Sequence, residues 1–158
     1  MDLEYGPEYE EYKIEVQAFC NKYKGIQFTK DPPIQKAGGG VIQGNRATLV
    51  SERGPEMSRS EWQKTLIENG YFARSIPKEY GGFGGESDVI KSRIAATEFS
   101  NKGIPGPMGG QGIDMLVPTL LELGTEEQKN KYIKPTLYGE MIWCQGYSEP
   151  NAGSDLAS

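Results

Sequence analysis

Glycine and proline divide this chain into short segments, and that division constrains the fold more than any other feature of the sequence. The 158 residues include 21 Gly and 10 Pro, the two residue types that most often interrupt helices and strands. Most segments between them carry apolar residues at spacings of three and four, the period of an amphipathic α-helix. We therefore predict an all-α fold, an up-and-down bundle of short helices that ends in a short C-terminal β/loop segment.

Five helices are predicted from these spacings and from residues that cap helix ends. The first spans about residues 8–24, and its aromatic stripe is typical of a packed core. The capping boxes at 58–61 and 125–128 mark the starts of the second and fifth helices. The third is predicted over about 88–101 and the fourth over about 113–123. The residues placed on the apolar faces are Tyr9, Tyr12, Val16, Phe19 and Tyr23 in the first helix, Trp62, Leu66 and Ile67 in the second, and Ile90, Ile94, Ala95, Thr97 and Phe99 in the third.

Residues 25–57 differ in composition from the rest of the chain. Paired prolines and a glycine triplet interrupt a stretch that is too long for an ordinary connection in a compact domain. We predict an irregular insert in which residues 41–42 and 48–50 could form short extended pieces. The triplet Gly38-Gly39-Gly40 is not followed by the Lys-Ser/Thr pair of a phosphate-binding loop, so a flexible connection is the better interpretation.

Charge and composition exclude several classes of function. The net charge is −5 and the sequence pI about 4.9, so a basic surface for nucleic acid is not expected. No apolar run reaches the length of a membrane span, and the first residues do not look like a signal peptide. The absence of histidine and the distance between Cys20 and Cys144 argue against a metal site and a disulfide framework. We expect a cytoplasmic protein with no metal, no nucleic-acid partner and no membrane partner.

The end of the chain is expected to belong to a second domain. Residues 141–147 lean apolar like a strand, and Trp143 and Tyr147 would need partner strands that do not follow in the sequence. We therefore predict a helical domain over 1–139 and the truncated start of a β domain over 140–158.

The segment Ser148-Glu149-Pro150-Asn151-Ala152-Gly153-Ser154-Asp155 resembles the flavin-binding signature of the acyl-CoA dehydrogenase family. That signature reads Thr/Ser-Glu-Pro-x-Ala-Gly-Ser-Asp, and every fixed position is matched. The Pro-x-x-Tyr-Gly-Gly-x-Gly loop that begins at Pro77 and the Gly-Thr-Glu-Glu-Gln-Lys run that begins at Gly124 are also similar to the family. The resemblance covers residues 58–158 well and the first helix loosely, whereas the insert has no recognised counterpart.

This resemblance implies the N-terminal portion of a flavoenzyme that oxidises an acyl-CoA thioester to its 2,3-enoyl-CoA, with hydride transfer to FAD. The implied partners are the acyl-CoA substrate, electron-transfer flavoprotein as acceptor, and further copies of the intact enzyme in a homo-oligomer. In the family the carboxylate base comes from a later domain. No catalytic residue is therefore expected in this chain, Glu149 is assigned to a turn, and the 158 residues alone should be inactive with an incomplete FAD site.

The resemblance also implies roles for individual residues. Ser148 takes the place of the hydroxyl that hydrogen-bonds near flavin N5. Gln145 and Tyr147 would flank the isoalloxazine ring, with Gln145 at a position that is often aromatic in the family. Gly153 would permit close backbone approach, and Ser154 would bind the flavin pyrophosphate or the CoA end of the substrate.

Two alternatives stay open. An acyl-CoA oxidase or a flavin monooxygenase on the same scaffold would carry the same motifs, because the residues that separate these activities are not in this chain. A non-catalytic helical module, or one subunit of a split enzyme that completes its site with a partner chain, would account for the helices equally well.

Overall fold

The computed structural model confirms the predicted all-α architecture. The described residues are 6–29, 34–35, 41–42 and 54–146. The helices in that part of the chain are α1 (Pro7–Lys22), α2 (Arg59–Glu68), α3 (Val89–Lys102), α4 (Val117–Leu123) and α5 (Glu126–Leu137). A 3-10 turn covers Lys78–Tyr80, and a π-helical turn at Gly112–Leu116 leads directly into α4.

Both predicted capping boxes are present and explain where α2 and α5 begin. The Ser58 Oγ accepts from the Glu61 N–H at 3.1 Å, while the Glu61 carboxylate accepts from the Ser58 N–H at 2.7 Å. The Thr125 Oγ1 accepts from the Gln128 N–H at 3.3 Å, and the Gln128 Oε1 accepts from the Thr125 N–H at 2.9 Å. A cap of this kind typically stabilises a helix by about 1 kcal/mol, so local sequence fixes these two helix starts.

The described part of the predicted insert contains four short strands, and one pair of them joins its two ends. The strands are β1 (Gln27–Phe28), β2 (Ile34–Gln35), β3 (Val41–Ile42) and β4 (Glu56–Met57). β1 pairs with β4 in parallel, and the Gly54 N–H donates to the Gly25 carbonyl at 2.8 Å beside them. β2 pairs with β3 in antiparallel fashion, which confirms the extended structure expected at 41–42, whereas residues 48–50 lie outside the described residues. The chain therefore leaves α1 and returns to α2 at the same place.

The first core cluster is aromatic and lies among α1, α2 and α3. The Phe19 ring contacts the rings of Tyr23, Trp62, Tyr71 and Phe99, with centroid separations between 4.7 and 5.7 Å. Pairs of this kind contribute about 0.5–1.5 kcal/mol each beyond the burial of their area. The predicted aromatic stripe of α1 is thus a core face, and Phe19 is at its centre.

The first three helices run up, down and up, as predicted. Lys91 lies 5.4 Å from the Tyr12 ring centroid, and the Gln17 Nε2–H donates to Glu98 Oε2 at 3.1 Å. Because the residue numbers rise together in these contacts, α1 and α3 are parallel. α2 runs the other way, since its beginning contacts the end of α1.

The buried face of α3 differs from the predicted one. Ile90 is 38 % exposed and Thr97 is exposed, although both were placed on the apolar side. Glu98 is only 6 % exposed, because Gln17 provides a hydrogen-bond partner for its carboxylate inside the helix interface. The buried residues of α3 are therefore Ile94, Ala95, Glu98 and Phe99, three of which were predicted.

A second core cluster lies on the other side of α2, against α4 and α5. Tyr80 enters it from the glycine-rich loop and is 7 % exposed, while its hydroxyl donates to Glu126 Oε2 at 2.6 Å. Gly82 approaches the Ile76 carbonyl so closely that a Cβ atom would lie 2.1 Å from that oxygen. The prediction of a tight turn that packs Tyr80 and half-buries Phe83 is therefore confirmed.

Candidate functional site

The C-terminal segment, residues 141–146, is irregular in structure and is held against the helices by Trp143. The Trp143 Nε1–H donates to Thr136 Oγ1 at 2.8 Å. The indole meets the Tyr132 ring edge to face, with centroids 5.5 Å apart and an interplanar angle of 82°. A Cβ atom at Gly112 would lie 2.4 Å from Trp143 Cδ1. The expectation that Trp143 lacks partners is wrong, because helical side chains surround it where strands were expected.

The opposite wall of the site is a widened helical turn. The Val117 N–H donates to the Gly112 carbonyl, five residues earlier. Pro118 has no N–H to donate, and in a regular α-helix its ring would clash with the carbonyl of Asp114. The wider π turn lies directly before Pro118, and such turns are common at functional sites. The predicted fourth helix over 113–123 is therefore a π turn followed by α4.

An open groove of about 310 Å³ lies between this turn and the C-terminal segment. Its lining is mainly apolar, with a few amide and hydroxyl groups, and its volume is at the lower end of the roughly 300–1,000 Å³ that small-molecule sites occupy. The groove is large enough to hold part of a small molecule. The lining residues are Gln111, Met115, Leu116 and Thr119 on the helical side, and Trp143, Cys144, Gln145 and Gly146 on the C-terminal side.

Gln145 spans the groove from one wall to the other. Its Nε2–H donates to the Met115 Sδ at 3.1 Å, and both side chains are exposed to solvent. A thioether sulfur is a weak acceptor, so a ligand that offers a carbonyl or a ring nitrogen would replace it readily. The amide of Gln145 is thus placed to recognise a polar group on a molecule in the groove.

Gln145 is the one described residue among those that the sequence assigns to the cofactor. Tyr147, Ser148, Gly153 and Ser154 lie outside the described residues, and their roles stay predictions. The described chain ends with Gly146 in the groove wall, and Tyr147 is the next residue in sequence.

Sequence reasoning missed the helical half of the groove. Gln111, Met115 and Thr119 carry no motif, and their common location depends on the π turn. The sequence signal was Pro118, because a proline inside an apolar helical pattern indicates a kink or a widened turn. Trp143 was interpreted only as part of a strand. It is two residues before Gln145 in the sequence, and both residues line the groove.

The described side chains that line the groove can contact and hydrogen-bond a ligand, and none of them is a carboxylate, a lysine or a histidine. The lining thiol, Cys144, is exposed. In the π turn, Asp114 accepts a hydrogen bond from the Gly110 N–H at 3.0 Å. Elsewhere, burial raises the pKa of the Cys20 thiol in the first core cluster. The described residues contain no group of three or more His, Cys, Asp and Glu side chains that could hold a metal ion.

None of the helices in the described part of the chain has the length and apolarity needed to cross a membrane.

Comparison with known proteins shows similarity over most of the chain. The family model "Acyl-CoA dehydrogenase, N-terminal domain" matches residues 44–140, more than half of the chain. Acyl-CoA dehydrogenase IpdE1 of Mycolicibacterium smegmatis is 39 % identical over 101 residues, which are 63 % of this chain and 25 % of that protein. The short-chain specific acyl-CoA dehydrogenase of Clostridium acetobutylicum is 40 % identical over 93 residues, 58 % of this chain and 24 % of that protein.

A solved structure shares the fold. The structure titled "Tcur3481-Tcur3483 steroid ACAD" matches with a TM-score of 0.52 and 30 % sequence identity, covering 100 % of this chain and 36 % of that one. The chain spans about a quarter of the length of the curated relatives that it matches.

Proposed function

Because the chain belongs to the acyl-CoA dehydrogenase family, we propose that it forms the N-terminal helical domain, and the start of the flavin site, of an enzyme that oxidises an acyl-CoA thioester to its 2,3-enoyl-CoA. FAD, when bound, supplies the hydride acceptor for this reaction. The reaction also needs a carboxylate base, which we assign to sequence beyond this chain.

The observation that carries the proposal is the groove that Gln145 shares with Met115 and Thr119. Its lining suits a molecule with an apolar body and a polar edge, and both a flavin ring and an acyl thioester have that character. Its volume of about 310 Å³ suits one of these groups and not a whole FAD molecule. The described residues therefore fit one wall of a composite site.

The residues that follow the groove are proposed to complete this wall. Ser148 would donate a hydrogen bond to the flavin near N5 and so stabilise the reduced ring, and Tyr147 would flank the ring beside Gln145. Gly153 allows the backbone to approach the cofactor, and Ser154 binds the pyrophosphate or the CoA end of the substrate. Glu149 shapes the turn.

The wider setting is proposed on the same basis. The partners are the acyl-CoA substrate and electron-transfer flavoprotein, and the complete enzyme is a cytoplasmic homo-oligomer. An oxidase or monooxygenase on this scaffold would differ in residues outside this chain. A helical subunit of a split enzyme would need a partner chain to supply the base and the rest of the flavin site.

The direct test uses the protein with its native downstream sequence. Bound FAD is followed by its absorbance, and its reduction by acyl-CoA is measured by stopped flow. Substrates are a straight-chain acyl-CoA and an acyl-CoA with a steroid side chain, because one structural neighbour is titled a steroid ACAD. If neither substrate reduced bound FAD, the result would count against a dehydrogenase.

Two variants of that protein test the assigned roles. Ser148→Ala should keep FAD bound and slow its reduction by about two to three decades, since the loss of one such donor costs roughly 2.7–4 kcal/mol of barrier. The neighbouring variant Glu149→Gln is the control and should change the chemical step far less. The roles are reversed if Glu149→Gln abolishes reduction with FAD still bound while Ser148→Ala reacts normally.

A further inference from the structure

A fully buried amide on α2 bonds to the two segments that lead to the walls of the groove. Gln63 is 0 % exposed. Its Oε1 accepts from the Met108 N–H at 2.8 Å, and its Nε2–H donates to the Leu137 carbonyl at 3.0 Å. These partners are 45 and 74 residues away along the chain. A buried amide is costly unless it is hydrogen-bonded, so both contacts are needed to keep Gln63 in this position.

The first arm of the amide is the hydrogen bond that its Oε1 accepts from the Met108 N–H. It fixes the loop that leads into the helical wall. The neighbouring Trp62 donates its Nε1–H to the Pro105 carbonyl at 3.0 Å, so α2 holds this loop at Pro105 and again at Met108. Only two residues separate Met108 from Gln111, the first lining residue of the groove. The Gln63 contact with Met108 is therefore close in sequence to the start of that wall.

The second arm is the hydrogen bond that the Gln63 Nε2–H donates to the Leu137 carbonyl. It fixes the place where the chain leaves α5 for the other wall. Leu137 is the last residue of α5, and the chain turns at Gly139, whose φ is +68°. A Cβ atom at Gly139 would lie 1.9 Å from the Met108 Cε, so the two arms also meet through direct packing. The segment that carries Trp143 and Gln145 begins just after this turn.

We propose that Gln63 is a positioning residue that sets the spacing between the two walls of the groove, and so the affinity of the groove for its ligand. It does not line the groove and acts through Met108 and Leu137. A primary amide suits this role because one side chain provides both an acceptor and a donor. The identity of the ligand as an acyl-CoA rests on the function proposed above.

Gln63→Glu and Gln63→Met separate the two arms by their chemistry. A carboxylate can accept from the Met108 N–H but cannot donate to the Leu137 carbonyl, whereas a protonated carboxyl can do both. Methionine has similar size and can do neither well. The residue next to Gln63 in sequence, Lys64, forms an ion pair with Glu140 at a 3.1 Å separation. The chain contains no histidine, the side chain whose unperturbed pKa lies between pH 5 and 8.

The first measurement uses the 158-residue chain and needs no ligand. Incorporated 5-fluorotryptophan gives two ¹⁹F signals, and Trp143→Phe assigns the signal of Trp143. In Gln63→Glu the Trp143 signal should match the wild type at low pH and move away as the carboxyl ionises. In Gln63→Met it should be displaced at every pH, and in the wild type it should stay constant.

Amide hydrogen exchange at Met108 provides the matching readout. Exchange should be about tenfold faster in Gln63→Met, the effect of losing one hydrogen bond, and close to wild type in Gln63→Glu. If Gln63→Met does not fold, the low-pH rescue of Gln63→Glu still decides the matter. A Trp143 signal in Gln63→Glu that ignores pH, or normal Met108 exchange in a folded Gln63→Met, would overturn the proposal.

Kinetics of the complete flavoprotein then connect spacing to affinity. Gln63→Met should raise KM for acyl-CoA about tenfold and change kcat by less than about twofold, because the residue affects ground-state and transition-state binding alike. An equal loss in kcat with unchanged KM would contradict the positioning role. Absence of turnover in the wild type would refute the proposed function and leave the ¹⁹F and exchange results valid.

Discussion

The contact between Gly112 and Trp143 gives the sharpest test of how the groove is built. In Gly112→Ala the new methyl group would lie 2.4 Å from Trp143 Cδ1 and 2.8 Å from Thr136 Cγ2. Real Cβ atoms do not come this close to other heavy atoms, so a neighbour has to move. Thr136 is 2 % exposed in the core, whereas Trp143 is half-buried on an irregular segment. We therefore expect Trp143 to move.

The size of the effect follows from two free-energy costs and one gain. Overpacking a well-packed site costs about 1–3 kcal/mol, and displacement of Trp143 also removes its hydrogen bond to Thr136, a loss of about 1 kcal/mol. Alanine is favoured over glycine inside a helix by up to about 1 kcal/mol. The gain in helix propensity offsets the lost hydrogen bond, so Gly112→Ala should reduce the free energy of unfolding by about 1–3 kcal/mol and lower Tm by roughly 2–12 °C.

The matched control is Gly106→Ala in the preceding loop. No atom lies within 4 Å of a Cβ placed at Gly106, and substitution there should be neutral or should raise stability by up to about 1 kcal/mol. Urea denaturation measures both variants, and the ¹⁹F signal of Trp143 reports whether the indole has left Thr136. The reasoning is refuted if Gly112→Ala is as stable as Gly106→Ala and the Trp143 signal is unchanged.

Three further predictions concern the rest of the molecule. The hydrogen bond to Glu126 raises the pKa of Tyr80 to about 12, and the same bond lowers the pKa of Glu126. The stabilisation from this bond should therefore be lost as pH rises from about 10 to 12 and as pH falls below about 4.5. Denaturation of Tyr80→Phe at several pH values should lack the alkaline loss and show a smaller acid loss, because Lys129 also lowers the pKa of Glu126. Ellman's reagent should modify the exposed Cys144 quickly and the buried Cys20 only after unfolding; two fast thiols would contradict the burial of Cys20. Deletion of residues 141–158 should lower Tm in a thermal scan because it removes Trp143, and an unchanged Tm would show that the indole packing adds nothing.

The sequence alone determined the elements whose causes are local. The starts of α2 and α5 follow from capping boxes whose members are three residues apart, and such contacts form wherever the segment is helical. The core face of α1 follows from the period of its aromatic residues. The flavin-binding motif at residues 148–155 also indicates the family without any knowledge of the fold.

The tertiary structure decided features that depend on contacts between distant segments. The buried face of α3 was misjudged because Gln17 on another helix provides the partner that allows Glu98 to be buried. Trp143 was expected to need strands, yet the hydroxyl of Thr136 and the space above Gly112 accommodate it.

The groove and the amide that fixes its walls could not be derived from local pattern. Gln145 was recognised because it adjoins a motif, whereas Met115 and Thr119 were missed because their place depends on a π turn. Gln63 has no unusual neighbours in sequence, and its importance comes from partners 45 and 74 residues away. Short-range hydrogen bonds and periodicity are present in the sequence as patterns, but the satisfaction of a buried polar group is settled only when the chain has folded around it.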